Sequence, residues 1–265
     1  MNNTKKTIQT FTLYDGTIFL NFDNQRHIYY VDGKQVDGVT SVTGVIDKSG
    51  PLMYWAVNKA TEYIDRNLRP GVALDEIQIK ELLDEASRQH RIFKKKAGDI
   101  GTLVHDWIHR YIKKENPPKP VNKAVSNGVE AFLQWKKEHR VEFLLSEEKV
   151  YSREHRYAGT VDAEGIIDGE LAIIDFKTSK GIYDEMRYQV AAYRQARMEE
   201  TGEKYDSSWI IRFGKELDSE GKVVFEPKKL DNFRGDLEAF LGALAVYRRN
   251  KELKAEAKNY KLLPK

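Results

Sequence analysis

The stretch Tyr157–Ser179, YAGTVDAEGIIDGELAIIDFKTS, decides the fold. Asp168-Gly169 divides two apolar runs, and an Asp-Gly dipeptide favours the left-handed backbone of a two-residue hairpin turn. Strands are therefore expected over roughly 157–167 and 171–177. Side chains on a strand alternate faces. Asp175 and Lys177 then point one way, while Ile174 and Phe176 point the other way into a core. The same hairpin brings Asp162 near Asp175. Two carboxylates and an ammonium share one polar patch on an otherwise apolar sheet. A hard cation such as Mg²⁺ takes one or two carboxylates together with substrate phosphates, and a lysine beside them can orient a water or steady an oxyanion. These are the parts that metal-assisted phosphodiester cleavage needs. Asp and Lys two apart on a strand also occur as a solvated face or a surface ion pair. Here Ile173-Ile174 precede the triplet and Thr178-Ser179-Lys180 follow it, so the charges sit where a buried strand leaves the core.

Working outward, a helix is expected from Tyr183 to about Glu200, and Gln189 and Tyr193 lie four apart on one face of it, with small Ala191 and Ala192 between. A strand at 206–213, a short partner at 223–225 and a helix from 231 to about 260 follow. Upstream lie a strand over 142–151 and a helix from Asn122 to about His139. A further helix after Asp99 has the stripe Ile100, Leu103, Val104, Trp107, Ile108, Tyr111 and is ended by Asn116-Pro117-Pro118-Lys119-Pro120. Separate helices are expected from about 75 to 95 and from Pro51 onward, before Arg69-Pro70-Gly71. Residues 8–37 carry short β-rich runs with turns at Asp15-Gly16 and Asp32-Gly33. No repeat or linker is visible. The order implies an α/β architecture with helices over a mixed sheet. We expect a single domain over 1–265, with N-terminal strands and helices in 1–96, the core in 97–213, and a C-terminal helical region with a basic tail in 214–265.

His105 lies on the apolar stripe of its helix, a place where a histidine is also commonly a packed core residue. His109 is one turn further on and can share its face. His105-Asp106-Trp107-Ile108-His109 thus echoes the zinc-protease H-E-x-x-H helix with Asp for Glu. No third zinc ligand stands at a sensible spacing, and that reading leaves Asp162, Asp175 and Lys177 without a role.

The chain has 265 residues, 40% hydrophobic and 32% charged, which suits a globular protein. No apolar run approaches a membrane span. The opening MNNTKKTIQTF lacks the apolar centre of a secretory signal, so an intracellular location is expected. The absence of cysteine excludes disulfides, thiolate zinc sites and a Cys-held iron–sulfur cluster. Net charge is only +3, but the basic residues cluster. Residues 88–96 (RQHRIFKKK) contain Arg91, Lys94, Lys95 and Lys96 with no acid, and Arg248–Lys265 is also rich in Lys and Arg. Such clusters suit phosphate binding and also occur as solubilising faces.

In order, the chain presents Gly101-x-x-x-His105, Glu148 on the first central strand, Gly159-x-x-Asp162, Asp175-x-Lys177 and Gln189-x-x-x-Tyr193. This series resembles the RecB-like branch of the PD-(D/E)XK nuclease superfamily, with Val161-Asp162 in place of Pro-Asp. That branch includes phage-type and mitochondrial genome-maintenance exonucleases and Cas4-like nucleases, and without cysteines the chain is closer to the cluster-free members. Ser41-Val42-Thr43 through Trp55-Ala56 also resembles the amino-terminal part of phage members. The resemblance implies a restriction-endonuclease-like core with an N-terminal elaboration. It implies a DNA exonuclease of recombination, repair or phage DNA processing that uses Mg²⁺ or Mn²⁺. Asp162, Asp175 and the Phe176 backbone carbonyl would hold the metal, with His105 as a further ligand and Glu148 as an auxiliary acid. Lys177 would activate or position water, with a lowered pKa beside a cation. Gln189 and Tyr193 would contact DNA or orient the Lys177 region. Residues 51–115 would wall the site, with Arg91, Lys94, Lys95 and Lys96 as DNA-binding candidates. The partner would be DNA, as single strands or duplex ends; a recombination or helicase partner is compatible, and no membrane is expected. A non-cleaving nucleic-acid-binding subunit and a sequence-specific endonuclease are the alternatives on the same fold.

Overall fold

The structure, a computed structural model, describes residues 8–261. Residues 1–7 and Lys265, which entered the readings of the opening segment and the basic tail, lie outside the described residues. Among the described residues nine strands join in one mixed sheet flanked by helices. It starts with a meander, β1 (Ile8–Leu13), β2 (Ile18–Asp23), β3 (Ile28–Val31) and β4 (Lys34–Gly38), each antiparallel to the one before. The centre is β5 (Val141–Ser152), β6 (Tyr157–Ile167) and β7 (Glu170–Lys177), also antiparallel. After α5 (Asp184–Thr201) the chain returns as β8 (Ser207–Leu217), parallel to β7, and β9 (Val223–Leu230) closes the edge. A parallel return needs such a crossover helix. The other helices are α1 (Val39–Thr43), α2 (Ser49–Asn67), α3 (Glu76–Ile112), α4 (Lys123–Glu138) and α6 (Phe233–Lys261).

The deciding hairpin forms as its sequence implies. Ile167 pairs with Glu170 across Asp168 and Gly169, whose φ angles of 51° and 93° are those of a turn left-handed at both central positions. From there the register runs to Ala163↔Ile174 and ends. Further along, β6 takes a different neighbour on the parallel strand β4, at Asp37↔Tyr157 and Gly38↔Ala158. The stretch from Gly159 to Asp162 keeps β5 as partner but has neither β7 nor β4 beside it. The sheet therefore forks, and α1, which follows β4 directly, sits at the fork: Val39 and Thr40 line the same cavity as Gly159, Thr160 and Asp162.

Each face of the sheet has its own core. On one, Val150, Tyr157, Val161, Ile173 and Ile210 pack with Val190, Tyr193 and Ala196 of α5 and Phe240 and Leu244 of α6. On the other, Phe176, Phe143 and Phe213 meet Phe132 and Trp135 of α4 at ring separations of 5.7 to 6.4 Å. The C-terminal part of α3 lies against α4 there: a Cβ on Gly128 would meet Val104 at 3.0 Å, and Trp107 and Tyr111 touch Phe132. Asn122 caps α4 by accepting the N–H groups of Ala124 and Val125.

The chain divides into two compact units, residues 1–46 with 104–265 and residues 47–103. This regroups the N-terminal third expected from the sequence, because the β4–β6 ladder ties the meander into the main sheet while the helical segment 47–103 packs on itself. Within that segment Lys59 pairs with Glu62 and lies over the Phe93 ring. The two helices expected around 75–95 and after 99 are one, α3. No proline interrupts it, and a Lys95–Asp99 ion pair at 3.1 Å spans the glycine at 98. The head of the basic tail is engaged in the fold: Arg248 and Lys251 of α6 both pair with Asp37 of β4 at 2.8 Å. No described helix is long and apolar enough to cross a membrane.

Candidate active site

The fork collects the chemistry. By register Asp162 stands opposite Asp175, one step past the last ladder pair. The backbone N–H of Phe176 turns to the Asp162 side chain instead, donating to Oδ2 at 2.7 Å. An extended residue presents its N–H and C=O to the same neighbour, so the Phe176 carbonyl faces the Asp162 side too, while its ring is buried in the aromatic core. Lys177 lies two residues beyond Asp175 and on the same face, with its ammonium 2.5 Å from Asp175 Oδ2. From α5, Gln189 Oε1 accepts from Lys177 Nζ at 3.5 Å and Gln189 Nε2 donates to the Tyr193 hydroxyl at 2.8 Å. Gln189 is thus a strut between the lysine and a tyrosine that is itself buried. Gly159 makes the strut possible, because a Cβ there would come within 2.5 Å of the Tyr193 ring.

His105 reaches the cluster from α3, on the other side of the sheet, with Nδ1 3.6 Å from Asp162 Oδ2 and its ring edge-on to Phe176. Groups from opposite faces meet here because the sheet is open between Gly159 and Asp162. His109 does not join them. Its Nδ1 is 3.0 Å from the Ser146 hydroxyl, which donates to the Asp162 backbone carbonyl.

The acid that β5 contributes is Glu147, not the expected Glu148. Ligand atoms of His105, Glu147 and Asp162 lie within 4.8 Å of one another. The register puts Glu147 opposite Asp162 and Glu148 opposite the core residue Val161. Glu147 has φ 58°, the only left-handed non-glycine inside a strand among the described residues. The ladder keeps step across it, Ser146↔Ala163 and Glu148↔Val161, the bulge in β5 lying earlier between Phe143 and Leu145; a left-handed non-glycine is costly enough to be found mostly where function demands it. Two adjacent glutamates gave no signal for choosing between them. Arg91, Lys94, Lys95 and Lys96 are exposed on α3 within the 47–103 unit.

The charges are unbalanced. Burial drives the Asp175 carboxyl up to about 6, since Lys177 offsets it only partly and Asp162 adds repulsion. Burial and Asp162 push Glu147 up to about 7. Asp162 goes the other way: burial raises it, but His105, Lys177 and the Phe176 N–H outweigh burial and hold it below the usual carboxylate range. Burial likewise lowers Lys177 and His105, yet the neighbouring carboxylates raise both. The lowered Lys177 pKa expected beside a cation is therefore reversed when carboxylates alone surround it.

The donor set suits a hard divalent cation. Asp175 is 1% exposed, and no donor other than the Lys177 ammonium stands at its oxygens. The Lys177 ammonium, 2.5 Å from Oδ2, is the one cation against it, and it offsets the charge only in part. His105, Glu147 and Asp162, with ligand atoms within 4.8 Å of one another, could hold a cation beside the buried Asp175. A cavity of about 410 Å³ is lined by His105, Glu147, Asp162 and Lys177, with Asp175 buried behind them.

No family model and no curated protein matches the chain. Among solved structures it is similar to the alkaline exonuclease of Laribacter hongkongensis, at 14% identity over 48% of this chain and 70% of that one, with a TM-score of 0.29. A protein of Eubacterium rectale named as an exonuclease is 15% identical over 62% and 70% of the two chains, with a TM-score of 0.35. The L. hongkongensis enzyme in complex with dAMP is 15% identical over 57% of this chain and 85% of that one, with a TM-score of 0.27.

Proposed function

We propose that this chain is a divalent-metal-dependent DNA nuclease that hydrolyses phosphodiester bonds, working from DNA ends as an exonuclease in recombination, repair or phage DNA processing. The observation that carries the hydrolytic part is the convergence of His105, Glu147 and Asp162, ligand atoms within 4.8 Å of one another, beside the buried Asp175 and Lys177. The order of motifs from His105 to Tyr193 supports the choice of DNA and of an end-directed enzyme. Asp162, Asp175, Glu147, His105 and the Phe176 carbonyl would hold Mg²⁺ or Mn²⁺. A bound ion of this kind neutralises charge on the scissile phosphate and lowers the pKa of water. Lys177 holds its proton and keeps a cation against the position where phosphate charge develops; Gln189, braced by Tyr193, fixes its direction. Asp162 orients the edge of β7 through the Phe176 N–H.

The test is digestion of end-labelled single- and double-stranded DNA with Mg²⁺ or Mn²⁺. Wild type should release short products, and Lys177→Ala should be slower by roughly 10²–10³-fold, the cost of losing one charge-stabilising group. Covalently closed circular DNA should resist cleavage; nicking of the circle would make the chain an endonuclease. Binding with no product under either metal would make it a non-cleaving subunit.

A further inference from the structure

One side chain of the same cavity has no part in that reaction scheme. Lys149 of β5, two residues past Glu147, lines the cavity together with Asn24, His27 and Tyr29 of the meander. Its ammonium lies over the rings of Phe22 at 5.0 Å and Phe11 at 5.4 Å. Among the described residues no carboxylate forms an ion pair with it. Aromatic faces hold a cation by their quadrupole without neutralising it. The Phe22 and Phe11 rings are held in turn by the meander, where Phe22 stacks on Tyr29 at 4.6 Å and Tyr29 bonds to Thr160 at 2.9 Å. The result is a half-buried lysine whose stem is held against two rings and whose charge Glu147, Glu148 and Asp162 offset from a distance without pairing with it; it faces a cavity whose floor is acidic. Lys149 thus lines the same cavity as His105, Glu147, Asp162 and Lys177.

We propose that Lys149, clamped by Phe22 and Phe11, binds the phosphate next to the scissile one, so that the N-terminal meander is the wall that registers the nucleic-acid strand over the carboxylates. This rests on the nuclease reading above and adds to it a residue that selects polynucleotide over isolated phosphodiesters. It also gives the meander a role in the site: its β4–β6 ladder and its Tyr29–Thr160 bond place the clamp beside the fork.

The test compares wild type, Lys149→Met and Lys149→Arg on an oligonucleotide and on the p-nitrophenyl ester of thymidine 5′-monophosphate, which has one phosphodiester and no neighbour. Lys149→Met should lose at least tenfold more kcat/KM on the oligonucleotide than on the ester, with the loss carried by KM, and Lys149→Arg should recover most of it. Without metal, binding of a single-stranded oligonucleotide should weaken, and its slope of log K against log salt should fall by about 0.7, the change expected when one phosphate is no longer neutralised. Equal losses on both substrates, or an unchanged salt slope, would overturn this assignment while leaving the nuclease intact. Wild type inert on both substrates with either metal would remove the nuclease reading itself, and this assignment with it. Thermal melting of each variant separates either outcome from misfolding.

Discussion

Strand β6 carries two acids two residues apart, Glu164 buried and Asp162 partly buried, and their surroundings are opposites. Glu164 accepts from Arg197 Nε at 3.0 Å and from the Tyr205 hydroxyl at 2.6 Å, and Arg197 also donates to Glu200 at 2.9 Å. Every charge in that cluster is answered by a protein donor of opposite sign. At the fork Asp162 takes one backbone N–H, Asp175 has only the Lys177 ammonium close to it, and Glu147 has no ion-pair partner among the described residues. Burying charge is costly, and a fold normally closes such a cluster with its own donors. Asp175 has both oxygens buried with no donor but that ammonium. The first cluster ties α5 to the sheet. The second is left with acids that its lysine and histidine offset only in part.

That contrast breaks most sharply on activity. Asp175→Asn keeps the shape and removes one charge, and it should reduce nuclease turnover on the order of 10⁴-fold, as when one member of a cooperating set is lost. Its urea midpoint should stay equal to that of wild type or rise in metal-free buffer, since a repulsive carboxylate has gone. A parallel fall in activity and stability would place Asp175 with the structural acids instead. For the closed cluster the pattern reverses. Arg197→Met leaves Glu164 buried without its partner and should destabilise the fold by about 3–5 kcal/mol in urea denaturation. Replacing both partners, Glu164→Leu with Arg197→Met, should recover most of that loss, because no lone charge remains. If the double variant is as unstable as the single one, packing rather than charge is what Arg197 supplies.

The two clusters also differ in how far the sequence shows them. The Asp-Gly turn and the alternation on either side set the register that puts Asp162 opposite Asp175, so the central pair is legible. Lys177 follows by parity, and Gln189 and Tyr193 by helical spacing. Glu147 is not legible, because choosing it over Glu148 requires the β5–β6 register, which a bulge between Phe143 and Leu145 resets and no composition rule announces. Nor is the fork, since it depends on β4, a strand whose Lys34-Gln35-Val36-Asp37-Gly38 has little β character and which pairs with a segment far along the chain. Lys149 is missed for the same reason: the rings that hold it come from the meander. Local patterning finds the ends of ladders; it does not find which distant strand takes over when a ladder stops.

The smallest effects concern what completes the open cluster. With Mg²⁺ or Mn²⁺ at about 100 times its dissociation constant, wild type should gain roughly 2.7 kcal/mol of stability by linkage, seen as a higher melting temperature that Asp175→Asn does not share. Without metal the pH dependence should have an unusual sign. Asp175 titrates near its ordinary value when unfolded and at about 6 when folded, so between those limits the native state binds the extra proton. Stability is then fully present below about pH 4 and is lost as pH rises through about 6, by about 2–3 kcal/mol from a shift of this size if it acts alone. Burial of Glu147 adds to the decline toward pH 7, and the depressed Asp162 contributes the opposite slope below its ordinary range. Urea titrations in EDTA at pH 4.5 and 7 should show the fall in wild type and a shallower one in Asp175→Asn. A saturating divalent ion should abolish it, because the cation takes over what the proton did. Stability that rises over this interval in EDTA, and responds identically in the variant, would mean that the Asp175 carboxylate is already compensated within the protein and has no need of a cation.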